Sequence, residues 1–296
     1  MPYLLSASLI WAFSYGLIKS QLTSLDPNFV AACRMTIAFL VFLPFIKLKK
    51  YKPFMPYLLC VGALQYGIMY LLVLRAYQYL DAYQIVLFTA TTPFYVMLFH
   101  ALLERRFTAH HFMIAGLAIL GGGIIYYTSS VSLNALTGFF LVQASDVCFS
   151  LGQVYYRKIR LKYSDIHDQD IYAFLFLGAV ITTTLSTTWF NGWHSVHQLT
   201  IKQGLLLVYL GAIPSGLCFF WWNKGATQTN PVILSVFNNL KLPLGTLVSI
   251  LFFHEHVKQG MHLVIGLCII LFALFLAHLS QQKNHNALYG MTDGPQ

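Results

Sequence analysis

A lysine and two asparagines interrupt the apolar run "PVILSVFNNLKLPLGTLVSILFF" (231–253). On insertion scales a lysine at the centre of a membrane helix costs about 2.5–3.5 kcal/mol, so an ammonium kept there marks a solute pathway or a paired charge. Asn238 stands one helical turn before Lys241 and Gly245 one turn after, which makes that face polar and narrow. Pro243 removes a backbone hydrogen bond and frees a carbonyl near Asn239. The stretch therefore reads as a locally broken helix lining a cavity, where polar backbone is tolerated at membrane depth. An amine flanked by amides is suited to holding a carboxylate. The deep acid that could answer it is Asp146, in a stripe with Gln143, Ser150 and Gln153 that shares one helical face. Asp146 could meet a substrate ammonium or neutralise Lys241; spacing leaves both open.

Aromatic residues add a second set. Tyr66, Tyr70 and Tyr77 share a face in one apolar segment, and Phe88, Thr92 and Tyr95 do so in the next. Such stripes serve packing as readily as ligand binding. The candidate substrate-binding set is Lys241, Asn238, Asn239, Asp146, Ser150, Gln153, Tyr66, Tyr70, Phe88, Thr92 and Tyr95. Lys19, Arg34 and Arg75 fall nearer the outer face, where snorkelling or ion pairing is the ordinary fate of a cation and recruitment of an anionic solute is the alternative; Arg75 could pair with Asp81. Asp165, Asp168 and Asp170 follow a basic run and read as a solvated loop. His110–His111 and His254–Glu255–His256 lack the ligand number and frame of a zinc site, so no metal or other cofactor is expected.

The elements that must position these residues follow from composition. The chain has 296 residues, 57% hydrophobic and 9% charged, with a mean hydropathy of +0.65. Soluble domains carry about 25% charged residues. The chain is thus an all-α integral membrane protein, in contact with lipid over most of its length. Windows of about 20 apolar residues, enough to cross a bilayer, predict ten spans: 2–20, 28–47, 54–79, 82–103, 108–128, 134–157, 169–190, 203–224, 231–253 and 258–280. The remaining segment, 283–296, reads as a disordered tail. The first span lacks a basic leader and a cleavage site and is expected to be retained. The five cysteines all fall in spans and form no CxxC pair.

Net charge of +9 reports topology, not a nucleic-acid partner. Lys47, Lys49, Lys50, Lys52, Arg105, Arg106, Arg157, Lys158, Arg160, Lys162, Lys224 and Lys283 fall on one side of alternating spans, against Lys202 and Lys258 on the other. The positive-inside rule then puts both termini in the cytoplasm, most simply of a bacterium with the protein in its inner membrane.

The sequence also resembles itself. "FSYG" (13–16) and "FSLG" (149–152) match, and Ala76/Ala226, Gln78/Gln228, Pro93/Pro243 and Gly116/Gly266 are each 150 residues apart. Units of five spans, an odd number, must enter the membrane in opposite senses. The expected organisation is two inverted five-helix repeats, 1–130 and 131–282. Inverted repeats are the architecture of alternating-access carriers, with the site near the midplane between the halves.

Trp11 to Lys19, Arg34 in "AACRMTIAFL", "AYQYLDAYQIVLFTATTPFYVMLFHALLERRFTAHHFMIAGLAILGG" (76–122) and its echo "ATQTNPVILSVFNNLKLPLGTLVSILFFHEHVKQGMHLVIGL" (226–267) together resemble the EamA-type drug/metabolite transporter superfamily. The resemblance implies a small-metabolite carrier, often for amino acids, amines, carboxylates or nucleotide-derived solutes. Lys241 at mid-helix and the histidines beside Glu255 depart from the usual pattern.

Enzyme chemistry finds no support. No GxxxxGK[ST] phosphate loop is present, and Ser215 in "AIPSGL" has no histidine base on a matching face. A channel would repeat its filter residues, whereas one lysine in one half suits a single asymmetric solute. The sequence therefore predicts a secondary active transporter for a small polar metabolite, with an amino acid preferred. Lys241, Asn238 and Asn239 would hold its carboxylate and Asp146 its ammonium, with a coupling proton or counter-solute. The alternative is an exporter or exchanger of larger amines or nucleotide-derived metabolites.

Overall fold

A computed structural model describes residues 2–47, 52–104, 133–163, 165, 167–228, 231–254 and 260–289, with isolated positions between 113 and 124; of 231–240 it describes the backbone. The described residues are helical with no strand. In chain order they form α1 (Pro2–Gln21), α2 (Pro27–Phe42), α3 (Met55–Gly62), α4 (Met69–Ala76), α5 (Ala82–Phe88) and α6 (Thr92–Glu104). The second half gives α7 (Leu133–Lys162), α8 (Asp168–Trp189), α9 (Ile201–Leu210), α10 (Cys218–Gln228), α11 (Pro231–Phe253) and α12 (Gly260–Tyr289). Helix thus occupies nine of the ten predicted spans among the described residues, while the fifth, 108–128, lies mostly outside them. Among the described residues six stretches, from Pro27–Phe45 to Ile201–Gln228, are both long and apolar enough to cross a membrane. The chain is a multi-pass membrane protein.

Helix starts follow local chemistry. Asp26 caps α2, its carboxylate accepting from the backbone N–H of Asn28 (2.9 Å) and Phe29 (3.1 Å) ahead of Pro27 at the first turn. Capping boxes open α5 (Asp81 with Gln84) and α9 (Thr200 with Gln203). Asp81 takes Lys19 as its ion partner at 3.6 Å, and the Lys19 ammonium also donates to the carbonyls of Tyr77 and Leu80. The Arg75–Asp81 pair that spacing allows gives way because Arg75 lies over the Phe190 ring, 5.7 Å from its centroid.

The acidic cluster also departs from expectation. Asp168 and Asp170 sit in the first turn of α8, where the helix dipole favours negative charge. Asp168 accepts from Arg160 at 2.8 Å and from the Tyr156 hydroxyl, and the buried Asp170 meets Lys47 at 3.0 Å. These acids fasten helix ends together instead of lying in a solvated loop. At the other end of the chain, α12 continues to Tyr289, so residues 283–289 of the expected tail are helical. Lys283, Ala287 and Leu288 in that stretch favour carrying the helix onward.

Two spans contain a π-helical stretch at its middle: Ala63–Ile68 joins α3 to α4, and Gly211–Leu217 joins α9 to α10. Such wide turns re-aim side chains within a helix and recur at functional sites. Helices from the two halves interleave. α1 lies along α10 and α11, α2 and α3 pack on α8, and α4 and α6 pack on α7. α3 and α8 meet at Gly62 and Gly178: a Cβ on Gly62 would fall 1.8 Å from the Leu175 carbonyl oxygen, and one on Gly178 2.0 Å from that of Leu59. Small residues let membrane helices approach this closely.

Candidate functional site

Interleaving leaves a cavity among α1, α2, α4, α7, α10, α11 and the 89–92 turn, with about 90 Å³ of open space. That is room for several water molecules at the size a water requires. Trp11, Tyr15, Met69 and Phe219 form much of its wall. Three ionisable residues other than tyrosine line it: Arg34, Asp146 and Lys241. All are buried, at 1%, 5% and 6% exposure. The wall holds two cations against one acid.

Asp146 projects from α7 beside the turn that precedes α6. The Thr91 hydroxyl lies 3.1 Å from Asp146 Oδ2, 2.9 Å from Gln143 Oε1 and 3.0 Å from the Phe88 carbonyl. A hydroxyl carries one hydrogen, so these acceptors share it. Gln143 Oε1 also accepts from Tyr95 at 3.1 Å, and its amide donates to the Phe88 carbonyl at 3.2 Å. Lys241 faces Asp146 closely enough to interact electrostatically. The ion pairs within 4.0 Å among the described residues do not include them.

Arg34 does not snorkel: α2 buries it in the cavity wall. Its Nε donates to Ser215 Oγ at 3.1 Å and its Nη2 to the Tyr70 hydroxyl at 2.9 Å, with the guanidinium 4.5 Å from the Tyr70 ring centroid. The second π stretch places Ser215 there, and the neighbouring Pro214 carbonyl accepts from Trp11 Nε1 at 2.9 Å. A signal was available in the pairing of an arginine with a serine-bearing Gly/Pro segment of another span, but only packing reveals their contact.

The predicted site residues divide. Lys241, Asp146, Tyr70 and Thr92 line the cavity. Ser150 donates to the Thr92 carbonyl at 3.2 Å, and Tyr95 reaches Gln143, so both support the wall from behind. Phe88 stacks edge-on against Phe139. The side chains of Asn238 and Asn239 lie outside the described residues. Their helix, α11, runs unbroken through Pro243, so the predicted break is absent there. A proline within a membrane span is accommodated where neighbours re-satisfy the backbone groups it frees.

Tyr66 and Gln153 belong to a polar layer beside the cavity. Asn223 Nδ2 donates to the Tyr66 hydroxyl (2.8 Å), Tyr66 to the Tyr172 hydroxyl (2.6 Å), and Tyr172 to the Phe219 carbonyl (2.6 Å). Gln65 joins through Asn223 at 3.1 Å, and Gln153 accepts from the Trp222 indole at 3.4 Å. Trp222 is 1% exposed and packs inside this layer.

Comparison with known proteins now decides the family. A profile of the EamA-like transporter family matches residues 1–127 and again 136–279. The chain belongs to the EamA-like transporter family. It is 34% identical over 286 residues to a protein of Pseudomonas aeruginosa (strain PAO1) named a probable biotin transporter, covering 96% of this chain and 99% of that one. It is 33% identical to the biotin transporter of Escherichia coli (strain K12) over 93% of this chain and 92% of the relative, and equally so to that of Salmonella typhimurium (strain LT2). A crystal structure of a protein 16% identical superposes with a TM-score of 0.65 over 95% of this chain and 96% of the other, a likeness of fold alone. The EamA chain is a transporter and not an enzyme.

Proposed function

We propose that this EamA protein is a secondary carrier for a small monocarboxylate, biotin, moved through the cavity between two inverted five-helix halves. The observation that carries the reading is the charge of the cavity wall, two buried cations against one acid. A zwitterionic amino acid would leave that surplus in place, whereas a solute with one carboxylate and no ammonium cancels it. Relatives named biotin transporters favour the same choice, so biotin replaces the amino acid that the sequence suggested. Biotin's tetrahydrothiophene ring and aliphatic chain suit the Trp11, Tyr15, Met69 and Phe219 walls. The open space is small, so the halves must part to admit it, as alternating access requires. The same reading puts both termini in the cytoplasm and the protein in a bacterial inner membrane.

Uptake of labelled biotin into proteoliposomes tests this. Saturable uptake, counterflow, and competition by unlabelled biotin but not by alanine or lysine are the expected results. Competition by an amino acid without competition by biotin would overturn the substrate, and ohmic, non-saturating flux would overturn the carrier.

A further inference from the structure

The geometry points to Arg34, and not Lys241, as the residue that binds the substrate's carboxylate; the inference rests on the reading of the cavity as a carboxylate carrier's site. The two cations differ in what already balances them. Lys241 faces Asp146 across the cavity, and each lies in the other's electrostatic field. Arg34 has only neutral company: the Ser215 and Tyr70 hydroxyls and the Tyr70 ring. No acid lies within 4.0 Å of either cation among the described residues, but Asp146 interacts electrostatically with Lys241. Arg34 Nη1 has no hydrogen-bond partner there at all, although the residue is 1% exposed.

A buried guanidinium without a counter-charge is costly, and such groups are ordinarily paired and fully hydrogen-bonded. Here the missing partner is an anion that comes and goes. Nε and Nη2 are held by two hydroxyls that also touch each other, Tyr70 to Ser215 at 3.0 Å, so the fork is fixed in orientation before the ligand arrives. A planar guanidinium with unused donors fits a carboxylate better than an ammonium already facing an acid. Lys241 and Asp146 then serve as an internal balance, leaving Arg34 as the net charge that the substrate cancels.

The test compares each acid with its own primary amide, in full-length protein in proteoliposomes, over biotin, lipoate and a set of short monocarboxylates. Wild type is expected to favour biotin over biotinamide by about tenfold or more in competition, the scale of a charge-assisted bidentate contact. Arg34→Gln should bring the two within about threefold of each other, as one neutral hydrogen bond replaces the charged one. Lys241→Met should keep the preference even where its flux falls. Arg34→Gln that retains the wild-type preference overturns the inference. Should that variant fail to fold, Arg34→Lys decides: KM is expected to rise for biotin and stay unchanged for biotinamide, and equal changes overturn the assignment. A wild type that carries another acid of the set in place of biotin removes biotin as substrate, and the acid-to-amide ratio for that solute then decides Arg34 by the same criteria. A wild type with no preference for any acid over its amide overturns the inference.

Discussion

Pro93 and Pro243 hold the same place in the repeated pattern, yet the chain around them behaves differently. Before Pro93 the α-helix tightens into a 3₁₀ turn at Thr89–Thr91, while around Pro243 α11 runs unbroken from Pro231 to Phe253. The difference lies in the side chains. Thr89 donates to the Val86 carbonyl at 2.7 Å, Thr91 to that of Phe88 at 3.0 Å and Thr92 to that of Thr89 at 2.6 Å. Hydroxyls that bond back to carbonyls one turn earlier offer the backbone an alternative to its own ladder. The corresponding residues in the second half are Asn239, Lys241 and Leu242, and leucine offers no such bond. Proline permits a break; the groups that satisfy the freed carbonyls decide whether it happens. One half thus supplies irregular backbone and hydroxyls, the other a charge on an unbroken rod.

The largest effect should come from removing that charge. Breaking a buried charge pair by deleting one partner costs about 3–5 kcal/mol, because the other charge is left unbalanced. Lys241→Met is therefore expected to lower biotin uptake by roughly 100-fold and to lower the melting temperature. Lys241→Met with Asp146→Asn should recover most of the melting temperature and part of the uptake, since Arg34 keeps the net charge that the substrate cancels. Exchanging the paired residues, Thr91→Lys with Lys241→Thr, should not restore transport, since Lys at 91 would stand in the turn against Gln143 and not on the α11 rod. Activity in the exchanged protein would show that the halves are interchangeable at this point.

Much of the helix plan was legible because membrane spans declare themselves by length and apolarity. Lys241 and Asp146 were legible too, since a charge among leucines is conspicuous, and both line the cavity. Arg34 was less so. Its place nearer the outer face suggested snorkelling or ion pairing ahead of solute binding, and its burial depends on the Gly211–Leu217 π stretch, which no residue pattern announces. The acids at the start of α8 were misread for a similar reason: Lys47 and Arg160 reach them only after α2 and α7 have packed. Composition reports what must leave water. It does not report which helix will stand opposite.

A smaller effect is expected from the turn itself. Thr89→Val with Thr92→Val removes two back-bonds of a kind worth about 0.5–1.5 kcal/mol each, and without them the first half should straighten toward the geometry of α11. Uptake should fall by at least about fivefold by that measure while the protein remains folded. Unchanged uptake would mean that the irregular turn is a by-product of Pro93 and not part of the site.

The finest test concerns the single hydrogen of Thr91, which is divided among the Phe88 carbonyl, Gln143 and Asp146. Tyr95→Phe removes the other donor to Gln143 Oε1, leaving that oxygen to draw the Thr91 hydrogen toward itself and away from Asp146. Asp146 then loses a donor and leans further on Lys241, so the two halves are held more tightly together across the cavity. Gln143→Leu does the reverse, freeing the Thr91 hydrogen for Asp146. One neutral hydrogen bond is worth about 1 kcal/mol, so each variant should change the rate of biotin uptake by no more than about fivefold, Tyr95→Phe lowering it and Gln143→Leu raising it relative to Tyr95→Phe. Initial rates at saturating biotin measure this. Changes of the same size and sign in both would mean that the hydroxyl merely packs, and that the charge on α11 acts without reference to the turn it faces.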